Sequence, residues 1–362
     1  MTDEAAPAPR VRAVALYLPQ FHPTPENDEW WGPGFTEWTN VARARRLFPG
    51  HRQPLVPGEL GFTDLRVPET RAAQAELARA HGIEAFCYWH YWFGGRRILE
   101  RPFDEVVASG EPDFPFCVGW ANESWTGVWH GSRDRVLIEQ TYPGPDDDRA
   151  HVESLLPALH DRRYLRVDGN PLLFVYRPES LPDAAAFADR WRELAVAGGL
   201  PGLHLVGQTR GRWLPSTHGF DAAVTVAMPA REQRRAVEGR PLDWWLTVAS
   251  AKAPWLPSIY SYRHWAPFFP WLLDDDESYP VVVPNWDNTP RSGRGGYVFS
   301  GSTPELFGQQ AERAVSLVAD RPRERRLVFV KSWNEWAEGN HLEPDTRWGR
   351  GYLEALREAV AG

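Results

Sequence analysis

Residues 333 to 339 read Trp-Asn-Glu-Trp-Ala-Glu-Gly and set two carboxylates, Glu335 and Glu338, three positions apart. On a tight turn or a first helical turn that spacing points both side chains to one side, where they can flank a single bond. Cleavage of a glycosidic bond calls for such a pair, one carboxyl protonated to assist the departing oxygen and the other ionised as nucleophile or base. Two carboxylates in one cleft also raise each other's cost of ionisation, which would keep an acid form at neutral pH. If instead one Glu caps a helix and the other is solvated, the flanking Trp333 and Trp336 and the apolar stretch before them are left without a reason.

The same mixture of rings with amides or carboxylates recurs after other apolar stretches. Tyr17, Gln20, His22, Glu37 and Trp38 follow the first, and His90, Tyr91 and Trp92 the second. Trp120, Asn122, Glu123 and Trp125 follow the third, Trp286 with Asp287 and Asn288 the seventh, and Asn334 adjoins the glutamates. All are candidate substrate contacts, except that Asp287 and Asn288 are noted for position only. For His22 and His90 a packed imidazole is an open alternative, as core packing is for Trp92, Trp125 and Trp286. The chain holds 19 Trp; indoles cover the apolar faces of sugar rings as well as filling cores, and each N–H needs a polar partner.

Such residues act together only if the elements before them converge. Short β-branched or aromatic runs alternate with stretches of helical periodicity, the pattern of βα units around a parallel sheet. Strands are expected at 11–18, 84–92, 114–120, 172–176, 203–208, 222–227, 279–284 and 326–333, with helices near 68–82, 99–109, 149–160, 183–197, 304–319 and 351–360. Eight such strands predict an α/β fold, a (β/α)8 TIM barrel with long βα loops, whose C-terminal strand ends build the active site. The whole of 1–362 reads as one catalytic domain, with an irregular insertion at about 231–276. Asp146, Asp147 and Asp148 suit a helix N-terminus, and the glycines of 291–297 read as a mobile loop.

Composition narrows the classes. A formal net charge of −8 with no basic run argues against nucleic acid as a partner, and no apolar run is long enough to cross a membrane. The acidic N-terminus and short first apolar stretch read as a strand rather than a secretion signal, which points to a cytoplasmic location. Cys87 and Cys117, both within apolar runs, read as buried free thiols, and no metal or cofactor is expected. A glycine-rich phosphate loop, HExxH, GxSxG and CxxC are all absent from the sequence. Arg96, Arg97, Arg291 and Arg294 lie near expected loop ends and could hold a phosphate or an acidic sugar, or be solvated.

The motifs LYLPQFHPTPENDEWWGPGFTEWTNV (16–41), FCYWHYWFGGRRILERP (86–102), PFCVGWANESWT (115–126), DNTPR (287–291) and WNEWAEGNHLEPD (333–345) together resemble the WbsX-like family. That family is often labelled a glycosyltransferase and is similar to the glycoside hydrolase family 99 endo-mannosidases. The resemblance implies a metal-free (β/α)8 barrel and a glycan or glycoside substrate. From the hydrolase side it implies a retaining mechanism through a 1,2-anhydro sugar. Glu335 would then take the proton of the substrate's 2-hydroxyl, while Glu338 would protonate the leaving oxygen and later activate water. The endo-mannosidases have a His where this chain has Ala337, a departure that bears on mannose specificity and leaves both carboxylates intact. Transfer in polysaccharide assembly and non-catalytic glycan binding stand as alternatives.

Overall fold

A computed structural model describes residues 9–127, 135–209, 213–226, 249, 250, 253, 255–270 and 277–361. Parallel strands close into a barrel: β1 (Arg12–Tyr17), β2 (Ile83–Phe93), β3 (Phe116–Trp120), β4 (Asn170–Val175), β5 (His204–Thr209), β6 (Ala222–Thr225), β7 (Ser278–Tyr279 continued by Val281–Val282) and β8 (Leu327–Val330). The first half of β7 pairs with β6, the second half with β8, and β8 pairs with β1. Pro280 has no N–H to give a ladder, which divides β7 at that residue; its carbonyl still accepts from Phe329 at 2.9 Å. These are the eight expected strands, with ends shifted by a few residues.

Helices α3 (Pro68–Ala80), α4 (Arg101–Ser109), α5 (Pro145–Leu159), α6 (Ala184–Ala197), α8 (Pro304–Val318) and α9 (Gly351–Ala361) occupy the expected positions, behind two shorter helices in the first loop, α1 (Pro25–Trp31) and α2 (Glu37–Arg43). The loop helices are there because Thr24 accepts from the Asn27 N–H with Pro25 in the first turn, and Thr36 with Thr39 closes a capping box. Asp146, Asp147 and Asp148 lie inside the first turn of α5. There Asp147 accepts from the Trp92 indole and Asp148 from the Trp191 indole and Arg190.

The glycine stretch at 291–297 is not the loop expected. Thr289–Ser292 forms a short helix, α7, followed by a 3-10 turn and a strand, Tyr297–Ser300, that pairs in parallel with Ser258–Ser261. Ser258–Ser261 falls within 231–276, expected as an irregular insertion, of which residues 231–248, 251, 252, 254 and 271–276 lie outside the described residues. Cys87 and Cys117 are buried, unbridged and directly opposite each other on β2 and β3.

Strand alternation decides which residues the barrel turns inward. On β2, Trp89 and Tyr91 reach the cleft at the C-terminal end. His90 and Trp92 face outward against α5, where His90 Nε2 sits 2.9 Å from His151 Nε2 and the Trp92 ring stacks on His151 at 4.5 Å. Trp120 likewise points outward, stacked near Trp191 and Phe187. Tyr17 points away from the cleft, its hydroxyl donating to Gln74 of α3 at 2.7 Å. Expected as substrate contacts, these four are instead packing residues of the outer layer. Gly119, on the inward face of β3, leaves the space Trp89 needs: a Cβ there would lie 3.2 Å from the indole.

Candidate active site

The cleft has a volume of about 870 Å³ and its wall mixes rings with polar side chains. Trp89, Tyr91, Trp125, Tyr142, Tyr176 and Trp286 supply the rings, while Glu335 and Glu338 lie together at one side. Glu335 ends the short strand Asn334–Glu335, and Glu338 closes a single 3-10 turn, Trp336–Glu338. The two glutamates therefore meet on a tight turn, close behind β8.

What joins them is Arg291, on α7. Its Nη2 donates to Glu335 at 3.0 Å, its Nη1 to Glu338 at 2.7 Å, and its Nε to Glu37 at 2.7 Å. A planar guanidinium presents its donors in a fixed fork, so it sets the mutual position of three carboxylates as an ammonium could not. Burial disfavours the charge on Arg291, but the three carboxylates outweigh burial and push its pKa above the ordinary arginine value. DNTPR was legible as a motif, but neither type nor spacing marks Arg291 as the hub; the contacts come from segments 254 and 44 positions away in sequence.

Charge is divided unequally across this cluster. Burial raises Glu37 to about 7, against the pull of Arg291. Glu335 is raised by burial and by Glu338, with Arg291 opposing. Glu338 is lowered: burial acts upward, but Arg291 and Lys331 together outweigh it. In the free protein the proton thus favours Glu335 over Glu338. Mutual repulsion alone would have raised both; two nearby cations make the difference.

Buried polar networks fix the turn. Glu343 accepts from the Trp336 indole at 2.6 Å and from Gln74 at 2.6 Å, and Gln74 is oriented by the Tyr17 hydroxyl. On the other side Asp287 accepts from His51 Nε2 and Gln53 through one oxygen, and from the N–H and hydroxyl of Thr289 through the other. His51 Nδ1 accepts the Leu47 N–H, which places the ring proton on Nε2, facing Asp287. The Asp287 carboxylate thereby shapes the start of α7 and the placement of Arg291.

The remaining candidates fall into three groups. Tyr91, Asn122, Glu123, Trp125 and Trp286 line the cleft. Asn122 also clamps the end of β4 by accepting from the Arg177 N–H and donating to its carbonyl, and half-exposed Glu123 pairs with Arg177 at 2.8 Å. Glu37 is fully buried behind Arg291. Gln20, His22, Trp38 and Asn334 do not reach the cleft and support its walls. The Gln20 carbonyl accepts from the Glu37 N–H, and His22 meets the Pro19 carbonyl. Trp38 packs against Trp336 while donating to the Thr63 carbonyl. Asn334 pairs with both backbone groups of Leu18, tying β1 to the glutamate turn. Sequence reading passed over Trp89, Gln74, Glu343 and Lys331; alternation along β2 from Tyr91 was the signal available for Trp89.

Arg96 pairs with Glu26 and Arg97 with Asp104 at the surface. Among the described residues no cluster of His, Cys, Asp and Glu could hold a metal ion, and no helix is long and apolar enough to cross a membrane.

Comparison with known proteins adds sequence and fold relatives. Residues 13–356 match the family described as "Glycosyltransferase WbsX". Two curated relatives, each an "Uncharacterized protein WxcX" from a strain of Xanthomonas campestris pv. campestris, are 40% and 41% identical over 96% of this chain. They are longer: the chain spans about half their length, 49% in each case. Among solved structures, a "Glycoside hydrolase-like protein" is 14% identical, with a TM-score of 0.57 over 97% of this chain and 94% of its own. A GH99 endo-alpha-mannosidase from Bacteroides thetaiotaomicron, in complex with bis-tris-propane, is 15% identical with a TM-score of 0.56 over 96% and 95%. At such identities the likeness is one of fold, and it agrees with the closed barrel described above.

Proposed function

The chain belongs to the WbsX glycosyltransferase family, and from that premise we propose that its barrel is one catalytic domain that hydrolyses an α-glycosidic bond of a glycan or glycosylated metabolite, with retention of configuration. The observation that carries this reading is the convergence of Glu335 and Glu338 on one guanidinium, at the wall of a ring-lined cleft. Indole and phenol rings stack on sugar faces while amides and carboxylates hydrogen-bond the hydroxyls. Two carboxyl groups on one side of that cleft are the minimum equipment for glycoside cleavage.

In the scheme implied by the family resemblance, Glu335 accepts the proton of the 2-hydroxyl as that oxygen attacks C1, and Glu338 gives a proton to the departing glycosidic oxygen. The resulting 1,2-anhydro sugar opens when water, deprotonated by Glu338, attacks C1; Glu335 returns its proton to O2. Two inversions at C1 give net retention. In the free protein the shifts run the other way, Glu335 raised and Glu338 lowered, so bound substrate must raise Glu338 by weakening its contact with Arg291 or Lys331. If the reversal does not occur, the two roles are exchanged while the pair remains the same.

Transfer from a sugar nucleotide, the activity in the family's name, asks for a cradle for a diphosphate. Among the described residues the two arginines of the cleft wall are committed instead: Arg291 to three carboxylates and Arg177 to Glu123. The test is hydrolysis of a panel of aryl α-glycosides, with the first-formed anomer read by proton NMR. Release of the α-anomer supports the proposal, and turnover unchanged in both Glu335→Gln and Glu338→Gln removes it.

A further inference from the structure

Lys331 directly follows β8 and lines the cleft beside the glutamate pair, yet only 8% of its side chain is exposed. Its ammonium stands 5.0 Å from the centre of the Trp286 ring. The nearest carboxylate oxygen, on Glu338, is 3.9 Å away, too far for a hydrogen bond. With its ion-pair contact to Glu338 as long as 3.9 Å, the ammonium at the cleft wall keeps donors available to an acceptor brought in from the cleft.

The other cations of the described cleft wall are engaged. Arg291 serves three carboxylates; Arg177 serves Glu123, with its guanidinium also lying 4.7 Å over the Tyr176 ring. Neutral hydroxyls can be met by the Gln208 amide and by the glutamates, so they do not call for a further buried cation. An anion does, and a compact ammonium held over a cleft-lining indole is the place for it.

We propose that Lys331 receives a carboxylate carried on the sugar bound against Trp286, so that the substrate class is an acidic glycan containing a hexuronic acid. This rests on the glycan reading of the cleft. The groups acting on Lys331 are Glu338, Glu335 and the Trp286 ring, with Arg291, which binds both glutamates, neutralising part of the repulsion an incoming carboxylate would meet. Drawing Lys331 toward the ligand would also remove one of the two cations that keep Glu338 ionised, which is the change its role as proton donor requires.

The test is calorimetric titration of the full chain with the methyl α-glycosides of glucuronate, galacturonate and mannuronate, each against its neutral hexose. One uronate should bind about tenfold more tightly than its parent, the scale of one hydrogen bond to a charged group. The preference should persist in Lys331→Arg and vanish in Lys331→Gln. Absence of any uronate preference, or its persistence in Lys331→Gln, overturns the assignment. Should the glutamine variant melt early, Lys331→Met, which keeps the apolar stem and removes the charge, must lose the preference as well, and a preference retained in it overturns the assignment equally. Binding is read without turnover. A Lys331-dependent preference without hydrolysis therefore removes only the hydrolase reading, and hydrolysis of neutral glycosides with no uronate preference in binding removes only this one.

Discussion

The backbone N–H of Asp287 donates to the carbonyl of Glu338 at 2.7 Å, so the turn that carries the glutamates rests directly on the segment that presents Arg291. Gly339 permits the approach: its φ is +66°, and a Cβ there would lie 2.9 Å from the Asp287 nitrogen. Gly339→Ala should therefore lose about 2 kcal/mol or more through strain and displaced backbone. Chemical denaturation measures it; a variant as stable and as active as the wild type would show that the two turns do not depend on this contact.

Arg291→Met should cost about 3 to 5 kcal/mol, because it leaves two buried carboxylates and a partly buried third without their shared cation. Arg291→Lys should recover only part of this, since one ammonium cannot reproduce three directed contacts. Melting temperatures across the series give the comparison, with Glu37→Gln as the internal check. If Glu37 acts by holding Arg291, its glutamine variant should shift the pH profile of turnover more than KM. A change confined to KM would instead place Glu37 against substrate.

Glu335 and Glu338 are separable by leaving group. Loss of a proton donor matters little when the leaving group is a good one, whereas loss of the base that activates the 2-hydroxyl is felt with every substrate. Glu338→Gln should keep far more of its bond-breaking rate on a dinitrophenyl glycoside than on an unactivated disaccharide, and Glu335→Gln should be poor on both. The opposite pattern would exchange their roles, in line with the order of protonation in the free protein.

Glu343 gives a pH dependence of stability with a definite sign. Burial raises its pKa to about 7, opposed by the N–H groups of Trp336 and Gln74. An unfolded glutamate releases its proton near its ordinary value of 4.5, while the folded one keeps it to about 7. Raising the pH through this window thus favours unfolding: the contribution is present in full below the unfolded value and lost as pH rises through the folded one. The difference between wild type and Glu343→Gln should change by on the order of 3 kcal/mol between pH 4 and pH 8, in the direction that makes the wild type relatively weaker at high pH. A difference flat with pH would refute it.

His90 and Trp92 should matter for stability and not for substrate. Burial lowers His90 to about 3, aided by Arg97, so it stays neutral through the working range. His90→Asn should lower the melting temperature by breaking the contact with His151, while KM for any cleaved glycoside stays within about twofold, a change of less than 0.5 kcal/mol. A large rise in KM would bring the second strand's outward face into the site.

Much of this protein was legible before any coordinates. Alternating apolar runs and helical stretches are local properties, so the eight strands and the six principal helices followed from periodicity, proline and capping residues. Glu335 and Glu338 were visible because a turn of three residues brings them together without help from distant chain. Other assignments needed the third dimension. Whether His90 or Tyr91 enters a cleft depends on the strand's rotation about its own axis, and one residue of phase turns a candidate contact into packing against α5. Glu37, Arg291 and Glu338 lie far apart in sequence and meet only because the barrel closes β8 onto β1. With them came the unequal charges of the glutamates, since burial and a shared guanidinium are properties of the closed barrel and not of any single motif.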